Sequence, residues 1–175
     1  MLALKVHVPS DLVISANQAA EAARMGVSEL VREHLRGRNA ATPPKPGFRK
    51  SDYWADAADS VTSEVRGSTA TVTVEQEGAA LHYYGGTVYP RKKALAIPID
   101  PSVAGIWPSE ASALTDHIAM FWPKNSSHGF LKDSETGDLL WLLVSKATIK
   151  ADPSVLPTDG EILDAAAEAI WEAAS

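Results

Sequence analysis

The sequence predicts an α+β fold: a mainly antiparallel β-sheet core with a long N-terminal helix, a short helix and a C-terminal helix. Apolar residues recur at helical spacing near the start of the chain and again at its end, while β-branched residues alternate with polar ones between them. A chain of 175 residues, 45% hydrophobic and 22% charged, has a globular balance and fits a single domain spanning residues 1–175.

Ala16, Ala20, Ala23, Val27, Leu30 and His34 step by three or four and form one face of a helix. It is expected over 10–37, capped by Ser10 or Ser15 and stopping near Gly37. Arg32 and Arg36 fall in its last turns, where the helix dipole favours cations. Three prolines and a glycine in residues 39–47 read as a break, and 39–50 as a Pro-rich connection.

The β core is expected over 51–150. It opens with a short helix capped by Ser51, with Tyr53, Trp54, Ala57 and Ala58 inward and Asp52, Asp56 and Asp59 outward. Residues 61–66 and 69–76 then flank Gly67-Ser68 and read as a hairpin. Apolar runs at 94–99, 118–122 and 139–149 are further strands, and 139–144, almost wholly apolar, is expected at the sheet centre. Residues 102–112 read as a loop with a short helix. Thr158 and Glu161 have capping-box spacing, starting a helix over 158–174 whose stripe is Ile162, Leu163, Ala166, Ala169, Ile170 and Ala173. No internal repeat stands out.

The chain has no cysteine, which excludes disulfides and thiolate chemistry and suits reducing cytoplasm. Neither a signal peptide nor a membrane span is expected. The five histidines share no ligand spacing. Residues 133–138 have a passing likeness to a calcium loop, but the glycine falls one place early and the distal glutamate is missing, so a hairpin turn fits better. Nucleophile elbows and phosphate loops are absent, and Gly85-Gly86 lacks the helix and lysine of a nucleotide loop. No catalytic, metal or cofactor-binding residue is nominated, and no cofactor is expected.

The net charge of −6 opposes general nucleic-acid affinity, and no sequence-specific nucleic-acid contact is expected. Along the chain the charge is polarised. Residues 32–50 carry Arg32, Arg36, Arg38, Lys45, Arg49 and Lys50 against Glu33, whereas 151–175 carry Asp152, Asp159, Glu161, Asp164, Glu168 and Glu172 with no base. These are either two solvated faces or complementary ones that meet within a subunit or across a subunit boundary. Arg32, Arg36, Arg38, Arg49, Lys50, Asp164, Glu168 and Glu172 are the candidate assembly charges.

The most distinctive stretch is LHYYGGTVYPRKKALAIPID, residues 81–100. Its glycine pair permits positive φ, and Pro90 and Pro98 suit places where a strand can spare an amide. An aromatic, a glycine pair, an extended stretch, a basic residue and a strand ending in Ile-Pro follow in order. Upstream stands SDYWADAADSVTSEVRGSTATVTV and downstream LLWLLVSKATIKADPSVLPTDGEILDAAAEAI.

This order resembles the virion morphogenesis proteins of Mu-like phages and prophages, the group associated with tail completion and the head-tail neck. The likeness covers roughly residues 10–175, apart from 106–127. It implies a non-enzymatic structural subunit that forms homo-oligomers and joins other tail or neck proteins, in the host cytoplasm during assembly and then in the virion. Contact between the basic segment and packaged DNA is a third reading of its charge. Tyr83, Tyr84, Gly85, Gly86 and Pro90 are the candidate structural turn or interface, the turn reading placing both tyrosines inward. A tail-terminator or minor tail protein is the alternative, and an enzyme using His82, His117, Asp116 and Asp133 stands behind it.

Overall fold

The computed structural model describes residues 1–7, 14–111 and 117–175. The fold is α+β with antiparallel strand pairing throughout. The chain forms two compact units, one made of Met1–Pro43, Ser51–Gly85 and Lys150–Ser175, the other of Pro44–Lys50 and Gly86–Ile149. The β core expected over 51–150 is thereby divided between them.

The first unit begins with a strand that the sequence reading did not include, β1 (Leu2–His7), in which Leu2, Leu4 and Val6 turn inward and Ala3, Lys5 and His7 outward. Helix α1 (Ala16–Ala41) follows. Ser15 Oγ accepts from the Gln18 amide and the Gln18 side chain reaches back, a reciprocal cap. Ser10, the other candidate cap, lies outside the described residues. The helix does not stop near Gly37 but runs to Ala41, so residues 39–41 are helical rather than part of the connection. A lone helical glycine costs only about 1 kcal/mol. Pro43, by contrast, holds Thr42 in an extended conformation and ends the helix.

Helix α2 (Tyr53–Asp59) buries Trp54, Ala57 and Ala58, with Tyr53 half-buried and Asp52, Asp56 and Asp59 exposed. Its N-cap is Asp52 rather than Ser51, and the Asp52 side chain makes no capping bond. Strands β2 (Val61–Arg66) and β3 (Thr69–Val74) form the expected hairpin, and β3 lies between β1 and β2. Helix α3 (Ala79–Tyr84) and helix α4 (Asp159–Ala174) complete the unit. The α4 capping box between Thr158 and Glu161 is present as the spacing predicts.

In α1, Ala20, Ala23, Val27, Val31 and Leu35 are fully buried, in a core shared with Val72 and Val74 of β3 and Ile162 and Ala166 of α4. Each of the larger side chains contributes about 1.5–3 kcal/mol relative to exposure. The outer part of the predicted α4 stripe differs: Leu163 is exposed, because α4 meets the unit along a narrower face than its apolar pattern covers.

At Gly26, α1 and α4 approach each other closely. A Cβ there would stand 2.8 Å from both the Ala165 carbonyl oxygen and the Ala169 Cβ. Gly26→Ala is therefore expected to lower the melting temperature. The overlap costs about 1–3 kcal/mol and outweighs the roughly 1 kcal/mol that alanine gains in helix propensity. A raised melting temperature would show that the helices separate freely.

In the second unit, β4 (Gly86–Val88) pairs with β9 (Ala147–Ile149), and β5 (Leu95–Pro98), β6 (Ile118–Phe121), β7 (His128–Asp133) and β8 (Leu139–Val144) form a sheet of order β5-β8-β7-β6. As expected, β8 is an inner strand, and Leu140, Trp141 and Leu143 are buried. Leu139 is exposed, so the strand is not covered along its whole length. The β7–β8 turn is the expected hairpin: Asp133 Oδ1 accepts from the amides of Glu135 and Thr136, and Gly137 takes φ 83°.

A four-residue recurrence, Asp-Pro-Ser-Val, appears in both units. At Pro101–Val103 and at Pro153–Val155 it makes the same 3-10 turn, in which the preceding aspartate, Asp100 or Asp152, accepts from the serine amide and hydroxyl. The final valine is buried in each case. The first of these turns overlaps the start of residues 102–112, which read as a loop with a short helix.

Candidate assembly surfaces

The glycine pair at the heart of residues 81–100 sits at the unit boundary, which falls between Gly85 and Gly86. Tyr83 and Tyr84 end α3 rather than forming a turn, with their rings edge to face and centroids 4.8 Å apart. They do not both pack inward. Tyr83 is half-buried against the first unit's core, whereas Tyr84 is 69% exposed. Gly85 has φ 72°, and a Cβ there would stand 2.6 Å from the Ala151 amide nitrogen. The close approach is held by the Asp152 amide donating to the His82 carbonyl oxygen at 3.0 Å. Gly86 opens β4, and Pro90 lies in the connection to β5. Of this glycine pair, Gly85 is the one shown to require glycine on both conformational and steric grounds.

Most of the basic charges on α1 are engaged within the first unit. Arg32 donates to the Val61 carbonyl oxygen at 3.0 Å, and Arg36 pairs with Asp59 at 3.2 Å. Arg38 forms an ion pair with Asp152, donates to Ser154 and lies over the Trp54 ring, 4.7 Å from its centroid. Basic segment and acidic tail therefore do meet, at Arg38–Asp152, inside one subunit. His34 Nε2 donates to the Ser154 carbonyl oxygen at 2.9 Å beside it. Arg49 and Lys50 are exposed, as are Asp164, Glu168 and Glu172.

The Ser154 hydroxyl, and then Arg38, hold the Asp152 carboxyl below its ordinary value of 3.8, and the Thr158 hydroxyl holds Glu161 below 4.5. A carboxyl with a lowered folded-state pKa adds stability above its unfolded value, and that stability is lost as pH falls through the folded one. Stability is therefore expected to decline below about pH 4. Asp152→Asn should flatten that decline in urea titrations at successive pH values, and an unchanged slope would contradict the assignment.

A groove of about 280 Å³ runs between α1 and α4. Its floor is small or apolar: Gly26 and Leu30 from α1, Ala165 and Ala169 from α4. Its rims are glutamates, Glu29 and Glu33 on one helix and Glu168 and Glu172 on the other. Spacing of three and four residues puts each set on one helix face. Trp171, next to the rim in sequence, is 76% exposed. Sequence reasoning found Glu168 and Glu172 but not the groove, because periodicity does not show which two helices adjoin.

The second unit exposes a different surface. Strand β6 is an edge of the four-stranded sheet, with no strand on its outer side among the described residues. Met120 and Phe121 at its end, and Trp122 just after it, are 63%, 46% and 47% exposed. The Trp122 ring lies against Gly129, and its Nε1 donates to the Ser126 carbonyl oxygen at 3.1 Å. Tyr89, Arg91, Lys92 and Lys93, between β4 and β5, are also exposed. The run Met-Phe-Trp was visible in the sequence, but its position on an outer strand was not.

No protein-family model matches the chain, and no curated protein or solved structure matches it either.

The groups considered for a polar site have structural surroundings. His82 packs against the rings of Tyr53 and Trp54, with centroids 5.3 and 5.2 Å away. His117 lies 3.1 Å from Glu135, and Asp133 caps the β7–β8 turn. Asp116 lies outside the described residues. Among the described residues, no group of three or more His, Asp or Glu side chains is placed to hold a metal ion, and no helix is long and apolar enough to cross a membrane.

Proposed function

We propose that the chain is a non-enzymatic subunit of phage or prophage virion morphogenesis, acting in tail completion or head-tail joining by assembling with its own copies and with neighbouring neck or tail proteins. The observation that carries this reading is the exposure of Met120 and Phe121 at the end of the edge strand β6 and of Trp122 just beyond it. Proteins blunt exposed sheet edges with charge, proline or a covering segment, because unpaired amides and carbonyls template pairing with another chain. Here the edge ends in large apolar side chains instead. An incoming strand would satisfy the edge backbone, and its side chains would shield Met120 on one face and Phe121 on the other, giving about 25 cal/mol for each Å² of apolar surface removed from water.

The order of elements around residues 81–100 supplies the phage setting by resemblance, and the exposed edge supplies a physical means of assembly. Catalysis is not required for either role. Light scattering at rising protein concentration, and co-sedimentation with isolated phage tail tubes and portals, test the reading. Association with itself or with either structure is expected. A strict monomer that binds neither would overturn it.

A further inference from the structure

We propose that the acidic groove between α1 and α4 of one copy receives residues 89–93 of a second copy, so that subunits join head to tail. The inference rests on the assembly reading and names one of its contacts. The two units carry opposite charge. The first holds 7 Lys and Arg against 16 Asp and Glu, net −9, and the second 9 against 6, net +3, which together give the chain's −6.

Within the groove, local electrostatics work against the free chain. Glu29 and Glu33, and likewise Glu168 and Glu172, are like charges four residues apart, and the latter pair lies toward the negative end of the α4 dipole. A bound cation offsets both penalties. Among the α1 arginines, Arg36 and Arg38 are directed to Asp59 and Asp152, and Arg32 donates to the Val61 carbonyl oxygen and stands 3.9 Å from Glu29, so Glu33, Glu168 and Glu172 are the rim charges with no ion pair to a described residue.

Arg91, Lys92 and Lys93 are consecutive and exposed, and none forms an ion pair with a described residue. Exposed Tyr89 brings an aromatic ring to the same segment, matching the apolar floor at Leu30. Because the donor and receiving surfaces differ, the contact is heterologous and propagates into a ring or filament rather than stopping at a two-fold dimer.

The test uses two charge-reversed full-length variants, one carrying Glu33→Lys, Glu168→Lys and Glu172→Lys, the other Arg91→Glu, Lys92→Glu and Lys93→Glu. In sedimentation velocity, wild type is expected to associate and to dissociate as salt rises. Each variant alone should lose the salt-sensitive part of the association, and an equimolar mixture should regain it, since every groove then finds an oppositely charged loop. Thermal melts check folding, and the α4 substitutions should leave the melting temperature unchanged or raised because lysine suits a helix C-terminus. If the groove variant fails to fold, loss of the salt-sensitive part by the loop variant alone decides the matter.

Variants that associate as wild type does would overturn the groove contact while leaving the assembly reading intact. A mixture that does not regain the salt-sensitive part would do the same. Wild type that is monomeric at every concentration and binds neither tubes nor portals would overturn the assembly reading, and the contact with it.

Discussion

Gly85→Ala is expected to destabilise the first unit more than any other single-methyl substitution there. Two costs combine. Positive φ with extended ψ, here 72° and 176°, is a region essentially restricted to glycine and costs another residue about 1–3 kcal/mol. The added Cβ would stand 2.6 Å from the Ala151 amide nitrogen, an overlap with backbone that costs about 1–3 kcal/mol to relieve. Relief must move either the end of α3 or the segment leading to Asp152, whose amide bonds the His82 carbonyl oxygen and whose carboxylate holds Arg38. Gly67 in the β2–β3 turn provides the control, since it has φ 63° with nothing within 4 Å of its Cβ position. Urea unfolding should therefore show a larger loss for Gly85→Ala, which adds the contact with Ala151 to the cost of positive φ, than for Gly67→Ala. Equal losses would mean that only backbone strain matters at Gly85.

Gly129→Ala is expected to have the comparable effect in the second unit. A Cβ at Gly129 would stand 2.2 Å from Trp122 Cε3, so the indole must leave its seat and give up the hydrogen bond to the Ser126 carbonyl oxygen. Gly129 lies on β7, which pairs with both β6 and β8, and the displacement strains the sheet at an inner strand. A loss of about 1–3 kcal/mol is expected, together with a changed near-ultraviolet circular dichroism band. Combining it with Trp122→Ala should recover part of the loss, since the two residues are in contact and their effects are not additive. Strictly additive losses would show that the ring does not rest on Gly129.

What was legible in the sequence follows from how local each signal is. The Thr158–Glu161 cap, the 61–74 hairpin and the inner position of β8 depend on residues close together in the chain, and each is present. Strand β1 has the right alternation at Leu2, Leu4 and Val6. It is short, however, and its partner β3 is distant in sequence, so only the pairing reveals it. Gly37 read as a helix stop because glycine often ends helices, but Pro43 overrode it. The apolar stripe of α4 named Leu163, yet burial is decided by the width of the neighbouring surface.

The surfaces were less legible than the elements. Arg32, Arg36 and Arg38 looked like a solvated or intermolecular basic run, whereas the fold brings Val61, Asp59 and Asp152 to them across long stretches of chain. Tyr83 and Tyr84 are adjacent in sequence and differ in environment, because neighbouring residues on a helix point in different directions. The groove and the β6 edge arise only when separate elements adjoin, and neither leaves a pattern within one segment.

Assembly through exposed surfaces can be tested at the β6 edge. Met120→Lys and Phe121→Lys place charge on the strand edge while leaving Ile118, which packs toward the core, untouched. The decisive measurement is the sedimentation-equilibrium mass of wild type and of this double variant over the same concentration range. The expected result is a wild-type mass that rises with concentration above that of one chain, and a variant mass that rises less because only the groove contact is left to it, with both folded by circular dichroism. A wild-type mass fixed at a single chain, or a variant that associates equally well, would contradict it.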